Sequence, residues 1–336
     1  MRPTIAMIAQ MAGVSATTVD RVLNGRGRVK SRTREQVLRV AQETGYLDKA
    51  SAPVAAPVLL DFILPEGQSS FIETLASHLR GAAENSRVPV TPRIRFFDRS
   101  NPEGLATQIL SLKGKSQGIG VVAVDLPEVR EAIRQVAAAG IPVLNMVSDL
   151  TNVPKIGYVG IDNRAAGRLA GLLLSRLIKS ETGKIAVFAG SLAYRGHEER
   201  EMGFRHFLSE ETRLEVVEMR EVRDNVETMH QEALALLKRH PDLAGIYNIG
   251  GGNRGIAMAL METGCAGKVV FIGHELTEHS RQFLLRRVMD AVIDQNPRVE
   301  ARDAIELLAH AARGEPQPNL PPIRIQVVFR ENIPQV

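Results

Sequence analysis

The sequence predicts an α/β protein in two parts: a small all-α head of three helices and a two-lobed, doubly wound α/β body. Within residues 1–47, apolar side chains recur at helical spacing. From Val58 onward, short apolar runs alternate with helical patterns. A chain of 336 residues is also too long for one average domain. We therefore expect a head at 1–47, a linker at 48–57 and an effector-binding and dimerisation body at 58–336.

Positive charge is concentrated in the head. Residues 1–50 hold nine Lys or Arg against four Asp or Glu, whereas the remaining 286 residues hold 33 against 34. This distribution is typical of a nucleic-acid-binding head on a neutral body. A segment that is merely basic is the alternative interpretation, and the helical pattern weighs against it.

Composition bounds the class of protein. Cys265 is the one cysteine, so an intrachain disulfide framework is excluded and a reducing compartment fits. We see no apolar secretory segment at the N-terminus and no run that approaches the ~18 apolar residues of a membrane span. The sequence therefore predicts a cytoplasmic protein. No Ser-His-Asp or phosphate-loop arrangement stands out, and we expect that the protein is not an enzyme. Its histidines form no pattern typical of a metal site, and no cofactor is expected.

The head divides into three helices with recognisable ends. Thr4 is a fair N-cap for the first helix, and Gly13 ends that helix as a left-handed residue would. Ser15 is placed to cap the second helix. Ser31 is expected to cap a third helix, which Gly45 ends. Two short helices joined by a glycine-containing turn form a helix-turn-helix.

The second helix is the one that enters the major groove in such a motif. Its apolar residues must face the other two helices, which leaves its outer side for DNA. There Arg21 can reach guanine O6/N7 or a phosphate, and Thr17 can contact a base edge or a thymine methyl. Hydroxyls and loop arginines suit phosphate contacts. The candidate DNA-binding residues are Thr4, Ser15, Ala16, Thr17, Thr18, Arg21, Asn24, Arg26 and Arg28.

The stretches TIAMIAQMAGVSATTVDRVLNG (4–25) and VKSRTREQVLRVAQETGY (29–46) resemble the DNA-binding head of the LacI/GalR family of bacterial transcription regulators. The resemblance implies a repressor that binds a pseudo-palindromic double-stranded DNA operator as a homodimer and responds to a small-molecule effector. Asp20 stands where the family usually has serine. It either accepts from a cytosine amino group or orients Arg21, and we favour the second interpretation.

The linker departs from the family. The segment LDKASAPVAAPV (47–58) contains Pro53 and Pro57 and lacks the leucine that the family wedges into the minor groove. Prolines disfavour a hinge helix. A polyproline-like linker is the interpretation that we favour, and kinking of the operator centre is left open.

Eight apolar runs in the body predict buried strands: 58–64, 118–124, 141–147, 184–190, 243–250, 268–273, 290–294 and 323–329. Strand–helix alternation predicts parallel sheets covered on both faces. An array of this length is large for one sheet, so we expect two lobes with a change of lobe near 158–167. The body is similar to the periplasmic-binding-protein-like core of the same family.

Ligands of such folds bind beyond the carboxyl ends of the strands. The resemblance assigns ligand contacts to Arg200 in HEEREMGF, to Glu275 in IGHE and to Gln295, and we expect the first two to be solvated in an open cleft. Phe71 or Tyr247 could stack on a sugar face. The candidate effector-binding residues are Ser70, Phe71, Ser148, Asp149, Arg200, Tyr247, Asn248, Asn253, Glu275 and Gln295.

Two other functions are consistent with parts of the sequence. GGGNRG (250–255) satisfies the formal dinucleotide fingerprint of an NAD(P)-dependent oxidoreductase, although it follows a late strand. A periplasmic sugar-binding protein would share the body but has no use for a helix-turn-helix. The favoured hypothesis is a regulator controlled by a sugar, polyol or cyclitol.

Overall fold

The structure, a computed structural model, describes residues 4–23, 29–44, 46, 56–67, 70–222 and 225–335. The chain divides into two compact units, residues 1–56 and 57–336. Within the described ranges, no helix is long and apolar enough to cross a membrane.

The head unit contains three helices: α1 (Ile5–Met11), α2 (Ala16–Leu23) and α3 (Ser31–Glu43). One side chain from each helix, Ile8, Val19 and Val37, is fully buried in a small shared core. The Thr4 hydroxyl accepts from Met7 N at 3.3 Å, and the Ser15 hydroxyl accepts from Thr18 N at 3.2 Å. Both predicted caps are therefore confirmed.

One predicted cap is wrong. Ser31 is the first residue of α3, and Lys30 occupies the N-cap position without a side-chain hydrogen bond. The helix starts one residue earlier than expected, because Arg34 N donates to Lys30 O at 3.0 Å in the first helical hydrogen bond. This bond makes Lys30 the N-cap residue. Gly13 has φ +61°, as expected of a left-handed residue after a helix. Gly45 and residues 47–55 of the linker lie outside the described residues.

The first lobe of the body is a five-stranded sheet in the order β2-β1-β3-β4-β5, with every pair parallel. Its strands are β1 (Val58–Pro65), β2 (Val90–Phe97), β3 (Gly118–Val121), β4 (Val143–Met146) and β5 (Gly157–Val159). Edge strand β2 was not predicted, because Thr91, Arg93 and Arg95 interrupt its apolar residues, which therefore form no continuous run. Two of them, Arg93 and Arg95, pair with the fully buried Asp61 at 2.5 and 2.6 Å.

The second lobe is a six-stranded sheet in the order β11-β10-β9-β8-β6-β7. Its strands are β6 (Thr182–Ala189), β7 (Arg213–Glu221), β8 (Leu243–Asn248), β9 (Val270–His274), β10 (Ala291–Asp294) and β11 (Gln326–Val328). The sheet departs from the all-parallel expectation at one edge, since β11 runs antiparallel to β10. The other edge strand, β7, was missed for the same reason as β2.

Helices cover the faces of both sheets. In chain order they are α4 (Ser70–Glu84), α5 (Pro102–Leu110), α6 (Pro127–Ala138), α7 (Asn163–Leu177), α8 (Arg195–Glu211), α9 (Val226–Arg239), α10 (Asn253–Glu262), α11 (Glu278–Leu285) and α12 (Pro297–Ala312), followed by a 3-10 turn at Arg330–Asn332.

The chain passes between the lobes three times. The first crossing lies between β5 and α7, which agrees with the predicted change of lobe near 158–167. After β10 the chain returns to the first lobe, where Ala304 and Leu308 of α12 join the core of the first sheet. It then crosses back to add β11 to the second sheet. Neither lobe is therefore a continuous segment, and the chain connects the two lobes at three crossings.

Candidate functional site

A cavity of about 390 Å³ lies where the carboxyl ends of the two sheets meet. The first lobe lines it with residues that follow β1 and β4, among them Ser70, Phe71 and Ser148. The second lobe contributes α8, the loop after β8 and the ends of β9 and β10. This volume falls within the range of small-molecule sites, and its position is the one that open α/β sheets use for ligands.

Arg200 forms the base of the cavity. Its Nε donates to Asn163 Oδ1 at 2.7 Å, Nη1 to Ile249 O at 2.9 Å and Nη2 to Gln295 Oε1 at 3.1 Å. These acceptors belong to α7, the loop after β8 and the end of β10. The side chain is only 2% exposed, so the expectation that it is solvated in an open cleft is wrong. Arg200 braces three elements of the second lobe and also reaches the cavity wall.

Glu275 lies beside this guanidinium. Its Oε1 is 4.0 Å from Arg200 Nη1, and it also accepts a hydrogen bond from Gln295 Nε2. The residue is 8% exposed, which again corrects the expectation of a solvated side chain. Its φ is +74°, a region that non-glycine residues seldom occupy. Strained backbone of this kind is concentrated at functional sites, and here it places a carboxylate in the cavity wall.

The close approach of α7 and α8 explains how Arg200 is positioned. An ideal Cβ on Gly167 would lie 1.9 Å from the carbonyl oxygen of Arg200. A Cβ on Gly203 would lie 2.1 Å from the carbonyl oxygen of Arg164. Only glycine at both positions lets the two backbones touch, and this contact brings Asn163 of α7 within reach of the guanidinium.

The lobes are tied together at the end of β4. Val147 has φ +62°, and its carbonyl accepts from Tyr158 Oη at 3.0 Å and from Asn163 Nδ2 at 3.4 Å. Ser148 Oγ accepts from Gly196 N at 3.1 Å, in the first turn of α8. The end of a first-lobe strand is therefore hydrogen-bonded to two helices of the second lobe. A change in the lobe arrangement would alter these bonds.

Three predicted effector residues are not part of the cavity lining. Asp149 pairs with Lys155 at 2.5 Å and accepts from Asn145 Nδ2. Tyr247 is fully buried with its ring centroid 4.7 Å from that of Phe204, so the predicted stacking on a sugar is wrong. Asn248 Nδ2 donates to Gly251 O at 2.8 Å and to Asn253 Oδ1 at 2.7 Å. It shapes the glycine loop, and the predicted ligand contact of Asn248 is wrong, because its amide nitrogen is occupied there.

Seven of the ten candidates line the cavity together: Ser70, Phe71, Ser148, Arg200, Asn253, Glu275 and Gln295. Further lining residues were not among the candidates, and they include Arg99, His197 and His274. His197 and His274 lie in stretches that follow predicted strands, 191–200 and 274–275, but neither was chosen. His274 directly precedes Glu275 at the end of β9, so its place at a strand end was a usable signal. Arg99 follows β2, and the failure to predict that strand hid it.

Burial shifts the ionisation of two groups near the cavity. Burial, and then the charge of Arg200, hold the pKa of His274 well below its ordinary value, so its imidazole is neutral. Glu300 in the first turn of α12 is fully buried, and neither of its carboxylate oxygens has a hydrogen-bond partner among the described residues. Burial first, and then the charges of Glu275 and Asp294, raise the pKa of Glu300 well above its ordinary value.

On the head, α2 presents a polar face. Val19 and Val22 are buried, whereas Ala16, Thr17 and Arg21 are exposed. Next to them the hydroxyls of Ser15 and Thr18 lie 2.8 Å apart, and Thr4 is exposed at the start of α1. The predicted contacts of Asn24, Arg26 and Arg28 lie outside the described residues.

Comparison with known proteins assigns both units. Residues 4–48 match the model of the bacterial regulatory proteins of the lacI family. Residues 60–316 match the periplasmic binding protein domain. The chain belongs to the LacI family of bacterial regulatory proteins. The resemblance drawn from the two head motifs and the expected α/β architecture are thereby confirmed.

Two curated relatives of this LacI-family chain are named as regulators. The HTH-type transcriptional regulator CelR of Thermobifida fusca is 30% identical over 62% of this chain and 61% of its own length. The regulator DegA of Bacillus subtilis is 26% identical over 73% of this chain and 72% of its own length. The match thus spans less than two thirds of CelR.

Solved structures share the fold of the body. The glucose-galactose binding protein GanP of Geobacillus stearothermophilus superposes with a TM-score of 0.75 at 20% identity, over 83% of this chain and 99% of its own. A solute-binding protein of Burkholderia graminis in complex with D-arabinose gives 0.76 at 21% identity, over 82% and 96%. Neither likeness extends beyond the fold.

The glycines of the LacI-family body have structural reasons that need no dinucleotide. Gly252 has φ +83° and precedes α10. An ideal Cβ on Gly255 would lie 2.4 Å from Val226 O, so this glycine lets α10 pack against α9. The named relatives above are regulators, and the comparisons favour that function over an oxidoreductase.

Proposed function

We propose that this LacI-family chain is a cytoplasmic transcriptional repressor, which binds a pseudo-palindromic operator as a homodimer and is controlled by a small hydroxylated effector. The observation that carries the proposal is the interlobe cavity, where Arg200, Gln295 and Glu275 offer donors and an acceptor side by side. A sugar, polyol or cyclitol presents the complementary hydroxyl groups.

The chemistry of the cavity suits such a ligand. A hydroxyl group both donates and accepts, so it pairs with a guanidinium and with a carboxylate. Phe71, which is 7% exposed, adds an apolar surface on the first-lobe side, where Ser70 also lines the cavity. Ser148 and Asn253 supply further polar groups from opposite lobes. Burial of this set in a narrow space favours a compact, rigid molecule.

The same lining provides the coupling. Because both lobes line the cavity, a bound effector has different contacts in different lobe arrangements, and it stabilises the arrangement that it fits. The bonds of Ser148 to Gly196 and of Asn163 to Val147 join the lobes, and they are the contacts that a lobe movement would change. We infer that this movement alters the spacing of two heads in a dimer.

The proposed role of the head rests on its exposed face. Arg21 and Thr17 read bases, while Thr4, Ser15 and Thr18 position the helix against phosphates. One short helix reads few base pairs, so two half-sites are needed for a specific operator.

The test identifies first the DNA site and then the effector. The full-length protein is used to enrich binding sites from a random DNA library, and the selected site is measured by fluorescence anisotropy. Sugars, polyols and cyclitols are then titrated into the complex. We expect a palindromic site and at least one compound that releases it. Binding without sequence preference, or a selected complex that none of the compounds alters, would contradict the proposal.

A matched pair of variants locates the effector site. Glu275→Gln keeps the size of the side chain but removes the charge in the cavity wall, so it should abolish or strongly weaken release while DNA affinity is retained. Glu278→Gln makes the same change at an exposed position of α11, where the side chain accepts from Gln282, and should respond like the wild type. Equal responses of the two variants would exclude Glu275 from effector binding.

A further inference from the structure

His274 and Tyr247 form a buried pair on neighbouring strands of the second lobe. Tyr247 lies on β8 and His274 ends β9, and both residues are fully buried. The Tyr247 hydroxyl oxygen is 2.8 Å from His274 Nε2. The backbone of His274 is held as well, because its carbonyl accepts from Asn253 Nδ2 at 2.7 Å. His274 is also part of the cavity wall, which Tyr247 is not.

The hydrogen bond between them determines which ring nitrogen carries the proton. Burial raises the pKa of Tyr247 and lowers that of His274, so the phenol keeps its hydrogen and the imidazole is neutral. Among the described residues, the Tyr247 hydroxyl has His274 Nε2 as its one hydrogen-bond partner. If Nε2–H donated instead, both the hydroxyl hydrogen and Nδ1 would lack partners within the described ranges, whereas with Tyr247 as donor only Nδ1–H does. Tyr247 therefore donates and Nε2 accepts. The imidazole proton must then lie on Nδ1.

This assignment leaves a buried donor, unpartnered within the described residues, on a residue of the cavity wall. Across the part of the chain that the structure describes, His274 Nδ1 has no hydrogen-bond partner. A buried N–H without an acceptor costs free energy, and a ligand oxygen would remove that cost. The donor cannot readily become an acceptor, because a tautomer change would deprive the Tyr247 hydrogen of its acceptor.

We propose that His274 is a specificity-determining residue of the cavity, fixed by Tyr247 as a neutral imidazole whose Nδ1–H donates to an oxygen of the effector. The inference rests on the proposed effector-binding function of the same cavity. It narrows the ligand, since the group that meets His274 must accept: a hydroxyl, ring or carbonyl oxygen fits, whereas an ammonium group does not. Tyr247 is then a positioning residue, which acts through His274.

The donor assignment can be tested without any ligand. In the full-length protein labelled with ¹⁵N-histidine, long-range ¹H–¹⁵N spectra show which ring nitrogen of His274 is protonated. The expected result is the Nδ1–H form in the wild type and a shift toward the Nε2–H form in Tyr247→Phe. His206→Gln, at an exposed position of α8, serves as the assignment control. A wild-type Nε2–H form or an imidazolium would overturn the proposal.

The ligand contact is tested by calorimetry with D-glucose, D-galactose, D-arabinose, D-allose and myo-inositol. For whichever of them binds, the Kd should rise roughly five- to tenfold in Tyr247→Phe, the loss of one well-placed hydrogen bond. Tyr46→Phe in the head is the matched control and should leave the Kd unchanged. One monodeoxy analogue of the bound compound should lose affinity in the wild type and lose much less in Tyr247→Phe.

Several outcomes would overturn the ligand contact. They are an unchanged Kd in Tyr247→Phe, the same deoxy penalty in both proteins, and binding of none of the five compounds. A lower melting temperature alone, with an unchanged Kd, would show that the pair is merely structural. Failure of the proposed function would give a different result: a compound would bind the protein but would not alter operator binding.

Discussion

Replacement of Arg200 should destabilise the body even without effector. Arg200→Ala removes the donors of three buried acceptors, Asn163 Oδ1, Ile249 O and Gln295 Oε1, and leaves the Glu275 carboxylate without its nearby cation. Each buried acceptor left unpaired costs about 1–3 kcal/mol, although water from the adjoining cavity can replace part of this. Removing one partner of a buried ion pair costs about 3–5 kcal/mol. We therefore expect a loss of about 3–5 kcal/mol.

The measurement is urea unfolding of the full-length protein, followed by circular dichroism, with two comparison variants. Arg205→Ala lies on the same helix, where Arg205 is 48% exposed and pairs with Glu201, so its change should stay within about 0.5 kcal/mol. Arg200→Lys keeps the charge, but one ammonium cannot satisfy three separate acceptors as a planar guanidinium does. Its stability should lie between those of the wild type and Arg200→Ala.

The comparison with Arg205 decides the argument. If Arg200→Ala lost no more stability than Arg205→Ala, the guanidinium would not brace the second lobe. Arg200 would then be a solvated ligand contact, as the sequence alone led us to expect.

Three further predictions follow from the packing, the ionisation and the head. Gly203→Ala places a Cβ against the Arg164 carbonyl and should lower the free energy of unfolding in urea by about 1–3 kcal/mol or more. Gly81→Ala in α4, with no atom within 4 Å of the added Cβ, should raise it by about 0.4–1 kcal/mol. The folded state keeps a proton on Glu300, whereas the unfolded chain releases this proton above its ordinary pKa of 4.5. The stability contributed by this group therefore falls as the pH rises from 4.5 toward the raised pKa. Glu300→Gln should therefore be more stable than the wild type near neutral pH, with a difference in melting temperature that shrinks toward pH 4.5; a constant difference would contradict the shift. Arg21→Ala should cost about 1–3 kcal/mol at one operator position and relax base preference there, while uniformly weaker binding to all sequences would make Arg21 a phosphate contact.

The sequence by itself determined the features that depend on neighbouring residues. The caps at Thr4 and Ser15 and the helical phase of Val19 and Val22 are local, because a capping bond or one turn of helix spans only three or four residues. The buried strands were visible as apolar runs, and their ends located most of the cavity lining. Ser31 shows the limit of this reasoning, since the N-cap position of α3 is one residue earlier, at Lys30.

Tertiary structure decided what depends on contacts between distant segments. Arg200 is hydrogen-bonded to residues 37, 49 and 95 positions away. The contact of α7 with α8 at two glycines brings Asn163 to it, and the second sheet brings the ends of β8 and β10. In edge strand β2, Arg93 and Arg95 interrupt the apolar run, and their partner Asp61 lies on β1, so the strand and Arg99 after it were missed. The proposed tautomer of His274 likewise depends on Tyr247, 27 residues earlier on the adjacent strand. Periodicity and composition specify which elements form, but the partners of a buried charge are specified only when those elements pack.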